Sequence, residues 1–176
     1  KFTGNDDFGK INVISQVTDG VGLTLETVEA KLGAKIADFT YKGYTYENIV
    51  LDGQLKKNLF DGNLTIRDDN IDFVFKGFVD FADSIPKFDF HASVNKLDLK
   101  AINLTDEQYV LSGNIELNLL GRNLSTIEGI GTISDFKAIK NKSETYEFDT
   151  LILKSNLYNF NQRELTVESD ILKLRI

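Results

Sequence analysis

Ile49-Val50-Leu51-Asp52-Gly53-Gln54-Leu55 alternates apolar and polar residues, turns around Asn58, and is followed by Phe60-Asp61-Gly62-Asn63-Leu64-Thr65-Ile66, which alternates in the same phase. Successive side chains of an extended chain point to opposite faces, so Ile49, Leu51, Gly53 and Leu55 share one face, and Phe60, Gly62, Leu64 and Ile66 share another of the same kind. Asp68-Asp69-Asn70 supplies the next turn, and Ile71, Phe73, Phe75, Gly77, Val79 and Phe81 carry the period onward. Asp83 to Pro86 interrupts it, Phe88, Phe90, Ala92 and Val94 resume it, and Leu97 and Leu99 follow. Tyr109, Leu111, Gly113, Ile115, Leu117 and Leu119 then mark a strand that extends about 35 Å at roughly 3.3 Å per residue. The partner positions are mostly Asp, Glu, Asn, Lys, Ser and Thr, so each strand has one dry and one wet face. The expected fold class is all-β: an elongated, bent antiparallel sheet forming a groove with an apolar interior, with short helical turns between strands.

A smaller pattern is nested in the first. An apolar residue, any residue, Gly, any residue and an apolar residue recur around Gly53, Gly62, Gly77 and Gly113, with all the apolar members on the dry face. Glycine inside a strand weakens it, so reuse at one dry-face position points to a bend or to a close approach of backbone. A crease at mid-length that folds the sheet lengthwise into a trough is the expectation.

The order of segments also repeats. Leu25-Glu26-Thr27-Val28-Glu29 returns as Leu124-Ser125-Thr126-Ile127-Glu128, and Lys35-Ile36-Ala37-Asp38-Phe39 returns as Thr132-Ile133-Ser134-Asp135-Phe136. Thr45-Tyr46-Glu47 matches Thr145-Tyr146-Glu147, and Leu64-Thr65-Ile66 matches Leu165-Thr166-Val167, at offsets of 99, 97, 100 and 101 residues in all. Loops absorb such drift while packed faces resist it. Two related units of about one hundred residues are expected, over about 23–100 and about 122–176, the second truncated. Leu-x-x-(Ile/Val) at Leu25, Leu99 and Leu124 reads as a one-turn connector, and the segment from Ala30 to Ile36 fits a strand better than a helix, because its copy carries Gly129 and Gly131.

Composition narrows the chemistry. The 176 residues carry a net charge of −7 with no basic stripe, which argues against nucleic acid. There is no Cys, and thus no disulfide or thiolate chemistry, and no apolar run reaches the roughly 20 residues that span a bilayer. The start Lys1-Phe2-Thr3-Gly4 is not a signal sequence, and the strand-like end from Ile171 to Ile176 stops inside the pattern, so a piece of a longer chain is expected. The single His91 lacks a Ser-His-acid or metal spacing and is read as solvated. Asp68, Asp69 and Asp72 lack the Gly and distal Glu of a calcium loop and are read as a turn. The Asn-x-Ser/Thr triplets at Asn63, Asn103, Asn123 and Asn141 are short enough to arise by composition, and Glu144 and Glu147 are assigned to a solvated face. No catalytic residue, metal or cofactor is expected.

Thirteen Phe residues leave two uses open. They close the core of a β-sandwich, or they line an open trough that needs an occupant, because exposed apolar patches above a few hundred Å² mark binding surfaces. A carbohydrate-binding or adhesin sandwich would call for an outward aromatic platform, and the chain has no Trp.

The string Tyr41-x-Gly43-Tyr44-x-Tyr46-x-Asn48-Ile49-x-Leu51-Asp52-Gly53-x-Leu55, followed by Phe60-Asp61-Gly62-x-Leu64, resembles the repeats of TamB and the wider AsmA-like group, and Gly77-Phe78-Val79-Asp80-Phe81 and Leu97-Asp98-Leu99 extend the likeness. The resemblance implies a periplasmic protein of diderm bacteria, held in the inner membrane by a segment outside this chain, whose long groove reaches toward the outer membrane. That groove fold is shared with eukaryotic bridge-like lipid transfer proteins. The roles it implies are the carriage of phospholipids along the groove and the assembly of outer-membrane proteins with a TamA-type barrel partner. The expected lipid-facing wall is Ile49, Leu51, Leu55, Phe60, Leu64, Ile66, Phe73, Phe75, Val79, Phe81, Phe88, Phe90, Leu111, Ile115, Leu117 and Leu119, creased at Gly53, Gly62, Gly77 and Gly113. The alternative role is a scaffold whose edge strands template client strands.

Overall fold

The computed structural model describes residues 8–22, 24, 26–122, 126–159, 162–170 and 173–175. These form eleven strands: β1 (Phe8–Val21), β2 (Glu29–Tyr41), β3 (Tyr44–Lys56), β4 (Leu59–Arg67), β5 (Ile71–Asp80), β6 (Lys87–Asp98), β7 (Tyr109–Leu120), β8 (Glu128–Lys140), β9 (Glu144–Asn159), β10 (Gln162–Ser169) and β11 (Lys173–Arg175). All eleven belong to one antiparallel sheet whose spatial order is the order of the sequence. The sheet is open, and β1 and β11 are its edges.

Local chemistry explains the meander. Lys42-Gly43 and Lys57-Asn58 join their strands as two-residue loops with φ of 49° and 76°, and of 47° and 67°. Positive φ at both central positions gives a turn whose twist matches that of the flanking strands. Asp68 organises the next turn: its Oδ1 accepts from the Asn70 and Ile71 backbone N–H groups at 2.7 and 3.2 Å and from the Tyr44 hydroxyl at 2.7 Å. Asp72 pairs with Arg67. Asp68 and Asp69 are therefore in a turn, as their sequence indicates, whereas Asp72, read with them, lies on β5 opposite Arg67.

The expected connectors are single turns. The N–H of Val28 reaches the Thr24 carbonyl at 2.8 Å and that of Ile102 reaches the Asp98 carbonyl at 3.2 Å. Leu25 and Leu124 lie outside the described residues. The structure also extends the repeat by a feature that simple matching overlooked. Gly22 and Gly121, 99 residues apart, have φ of 83° and 132°, and a Cβ there would lie 2.8 Å from Val28 N and 2.5 Å from Ile127 Cα. The hydroxyls of Thr27 and Thr126 accept from the backbone N–H groups of Thr24 and Arg122 at 3.2 and 3.0 Å. A positive-φ glycine and a Thr hydroxyl five residues on thus follow both β1 and β7, although the backbone donor to that hydroxyl differs by one position.

The connector between β6 and β7 reaches furthest. It turns at Asp98 to Leu104, buries Ile102 to 1% exposure, and its Asn103 amide donates to the Lys42 carbonyl at 3.0 Å, bridging to the β2–β3 hairpin. Ile71, which continues the dry face of β5, is 7% exposed. This strap covers one rim of the sheet.

Candidate functional site: an open apolar face

Strand register arranges the dry-face residues in rows that run across the sheet. Leu51, Leu64, Phe75, Ala92, Ile115 and Ile133 pair successively from β3 to β8 and form the central row, which Leu151 continues on β9. On one side of it lie Ile49, Ile66, Phe73, Val94 and Gly113. On the other side come Gly53, Gly62, Gly77, Phe90, Leu117 and Gly131, and beyond them Leu55, Phe60, Val79, Phe88 and Leu119. Leu111 pairs with Leu97 and Ala138 near the strapped rim. Phe81 follows the end of β5 and meets Phe88 edge to face with centroids 5.7 Å apart. Phe60, Phe75 and Phe90 form a continuous ring contact across three strands, at 6.1 and 5.0 Å. Register thus brings all sixteen expected wall positions onto this face or its rim. It adds Ala92, Ile133 and Leu151, which the sequence reading left off the wall because small or second-unit residues make a weaker local pattern.

The crease differs from expectation. A Cβ at Gly53 would lie 2.7 Å from Gly62 Cα, one at Gly62 would lie 2.6 Å from Gly53 Cα, and one at Gly77 would lie 2.5 Å from Phe90 Cα. The approach is between neighbouring strands, and the row lies one residue from the middle of β4 and within two residues of the middle of β5, but three residues from the end of β3. Gly113 belongs to a second line, four residues nearer the strapped rim. There the registers of β5–β6, β6–β7 and β7–β8 shift, at Asp72/Phe73, Val94/Leu97 and Ser112/Asn114, with Asn48 at φ 52° and Asp135 at φ 52° at the same level. Bulges bend a strand and increase its twist. A row of close glycine contacts and a line of register shifts therefore flank the central row.

No second layer covers the face among the described residues. Backbone contacts between strands join sheet neighbours alone, and only Ala30, Ile49, Ile71, Phe75, Ala92, Ile102 and Ala138 are buried apolar residues. The other wall residues are half-exposed, apart from Phe81, which is 55% exposed. A compact folded monomer of this mass would expose about 8,600 Å² by the size scaling of globular proteins. This chain exposes 11620 Å².

The wet face carries hydrogen-bond ladders. Ser93 Oγ donates to Asn114 Oδ1 at 2.9 Å, Asn114 Nδ2 donates to Asp135 at 3.0 Å, and His91 Nε2 is 3.2 Å from Ser93 Oγ. His91 is exposed, as expected, but has this neighbour that the sequence reading did not foresee. The Ser93 proton is directed to Asn114 and no carboxylate orients His91, so the pair lacks the arrangement that activates a nucleophile. Among the described residues no three acidic or His side chains are grouped to hold a metal, and no helix is long and apolar enough to cross a membrane.

At the rim opposite the strap, Phe81, Pro86, Phe88, Gly121, Arg122, Ile127 and Asp83 line an open cavity of about 660 Å³. Phe88 belongs to both this cavity and the outermost apolar row, so the cavity is the mouth of the apolar face. Comparison of the chain with family models, curated proteins and solved structures finds no match.

Proposed function

We propose that this chain is a lipid-shielding segment, whose apolar trough holds acyl chains of phospholipids while their head groups stay in water. The observation that carries this reading is the half-exposed apolar face, in register from β3 to β9, which no second layer covers among the described residues. At about 0.8 kcal/mol per methylene, two chains of roughly sixteen carbons would cost on the order of 25 kcal/mol to expose to water, and a continuous dry surface removes most of that barrier. Such a role requires no nucleophile, base or metal. On this reading, which the resemblance to AsmA-like repeats supports, the chain would work in the periplasm between inner and outer membranes, held to the inner membrane through a segment outside this chain.

The experiment is photo-crosslinking of a diazirine phospholipid to the chain. Because Phe75 is 9% exposed, a charge there tests folding more than lipid contact, and half-exposed Leu64 and Leu117 are better probes. Leu64→Asp and Leu117→Asp, folded by circular dichroism, should lose at least 80% of the crosslink, whereas Lys76→Glu on the wet face should lose none. Undiminished crosslinking in the folded dry-face variants would count against the trough.

A second reading rests on β1, fourteen residues long, which among the described residues has a partner strand on one side only. Such an edge can template a strand of an outer-membrane client by augmentation. Prolines introduced along β1 that abolish activity while lipid crosslinking persists would favour it.

A further inference from the structure

We infer that the cavity at the unstrapped rim is a head-group site for an anionic amphiphile, with Arg122 as its cationic contact and Phe81 and Phe88 as the bed for the first methylenes. The inference rests on the trough reading and goes beyond it by naming the charge class of the cargo and the point at which it docks. Three observations converge. The cavity of about 660 Å³ is walled chiefly by the apolar groups of Phe81, Pro86, Phe88 and Ile127. It is continuous with the trough through Phe88, whose strand partners Val79 and Leu119 lie in the outermost apolar row.

The third observation is charge. Of the two charged residues on the lining, Asp83 is engaged by Lys87 at 2.7 Å, whereas Arg122 makes no ion pair among the described residues. Asp80, close to Lys87, accepts from the Ala82 backbone N–H at 2.8 Å. A guanidinium with five donors and no carboxylate partner, at the lip of an apolar cavity, matches a carboxylate or phosphate attached to a hydrocarbon chain. The Arg122 backbone N–H donates to Thr126 Oγ1 at 3.0 Å, which puts its Cα at the rim, and the side chain lines the cavity. The corresponding residue of the first unit, 99 positions earlier, is Leu23, so the site is specific to the second turn.

Fluorescence titration with cis-parinaric acid and with its uncharged methyl ester, each below its micellar concentration, tests this. The acid should bind the wild-type chain about five-fold more tightly than the ester, the upper range for one exposed charge pair. Arg122→Gln should erase that preference without lowering ester affinity, Arg122→Lys should keep most of it, and raising salt from 50 to 500 mM should reduce it. Equal binding of acid and ester by the wild type, or an intact preference in Arg122→Gln, overturns the head-group site while leaving the trough in place. If neither probe binds, the trough reading fails and the head-group site fails with it. The Leu117→Asn chain, polar but uncharged on the dry face, separates the two further, since it should weaken acid and ester alike and leave their ratio unchanged.

Discussion

Glycines in the dry face decide how closely the strands come together. At Gly62 an added methyl would meet the Cα of Gly53, which is backbone and cannot rotate away, so Gly62→Ala should destabilise by about 2 kcal/mol in urea unfolding. At Gly131 the nearest atom, 2.8 Å away, is a terminal methyl of Leu117, which can move, so Gly131→Ala should cost less than about 1 kcal/mol. Equal costs would show that the glycine row is not a close approach of backbones. Tyr44 offers a pH test at the same scale. Burial first, and then its bond to Asp68, push its hydroxyl up from 10.0 to about 12. A raised folded value means that the stabilisation is complete below pH 10 and is lost as pH rises through about 12. Between those limits the urea midpoint of the wild type should fall more steeply than that of Tyr44→Phe.

Period-two alternation fixes which residues of a strand share a face, but the connections fix which strand ends are covered. The β6–β7 strap places Ile102 in the most enclosed apolar position described and ties Asn103 to Lys42, 61 residues away. Ile102→Ala should cost about 3 kcal/mol by lost transfer and cavity terms. Asn103→Ala, removing one partly exposed hydrogen bond, should cost about 1 kcal/mol and raise amide exchange around Lys42 and Gly43 while β7 and β8 stay protected. Uniform loss of protection across the sheet would mean that the strap belongs to the global unfolding unit. The repeated segments also share an element that alternation does not reveal: the turn at Gly22 and Gly121 becomes legible when Leu-x-x-(Val/Ile) is extended to Gly-x-x-Leu-x-x-(Val/Ile). That signal was present in the residues and was missed because its glycine lies outside the strands.

For the molecule as a whole, an open sheet of eleven strands spaced about 4.8 Å apart is some 48 Å across. A compact domain of 176 residues has a radius of gyration of about 16 Å. Small-angle scattering of the monomer should give a clearly larger value, and one near 16 Å would mean that the trough is closed on itself in solution. Strand identity, turn positions and the dry face were determined by the sequence alone, because side-chain direction in an extended chain depends only on parity and each turn carries its own φ preference. The choice between an open trough and a closed sandwich was left open, since the same thirteen Phe residues suit a closed core and an uncovered wall equally well. Tertiary structure decided that question, together with the places where the register shifts, the strap over one rim, and the placing of Arg122, Phe81 and Phe88 around one cavity. Each depends on the register between strands and on which rim a connector crosses, and these are set by contacts between residues tens of positions apart that no local period encodes.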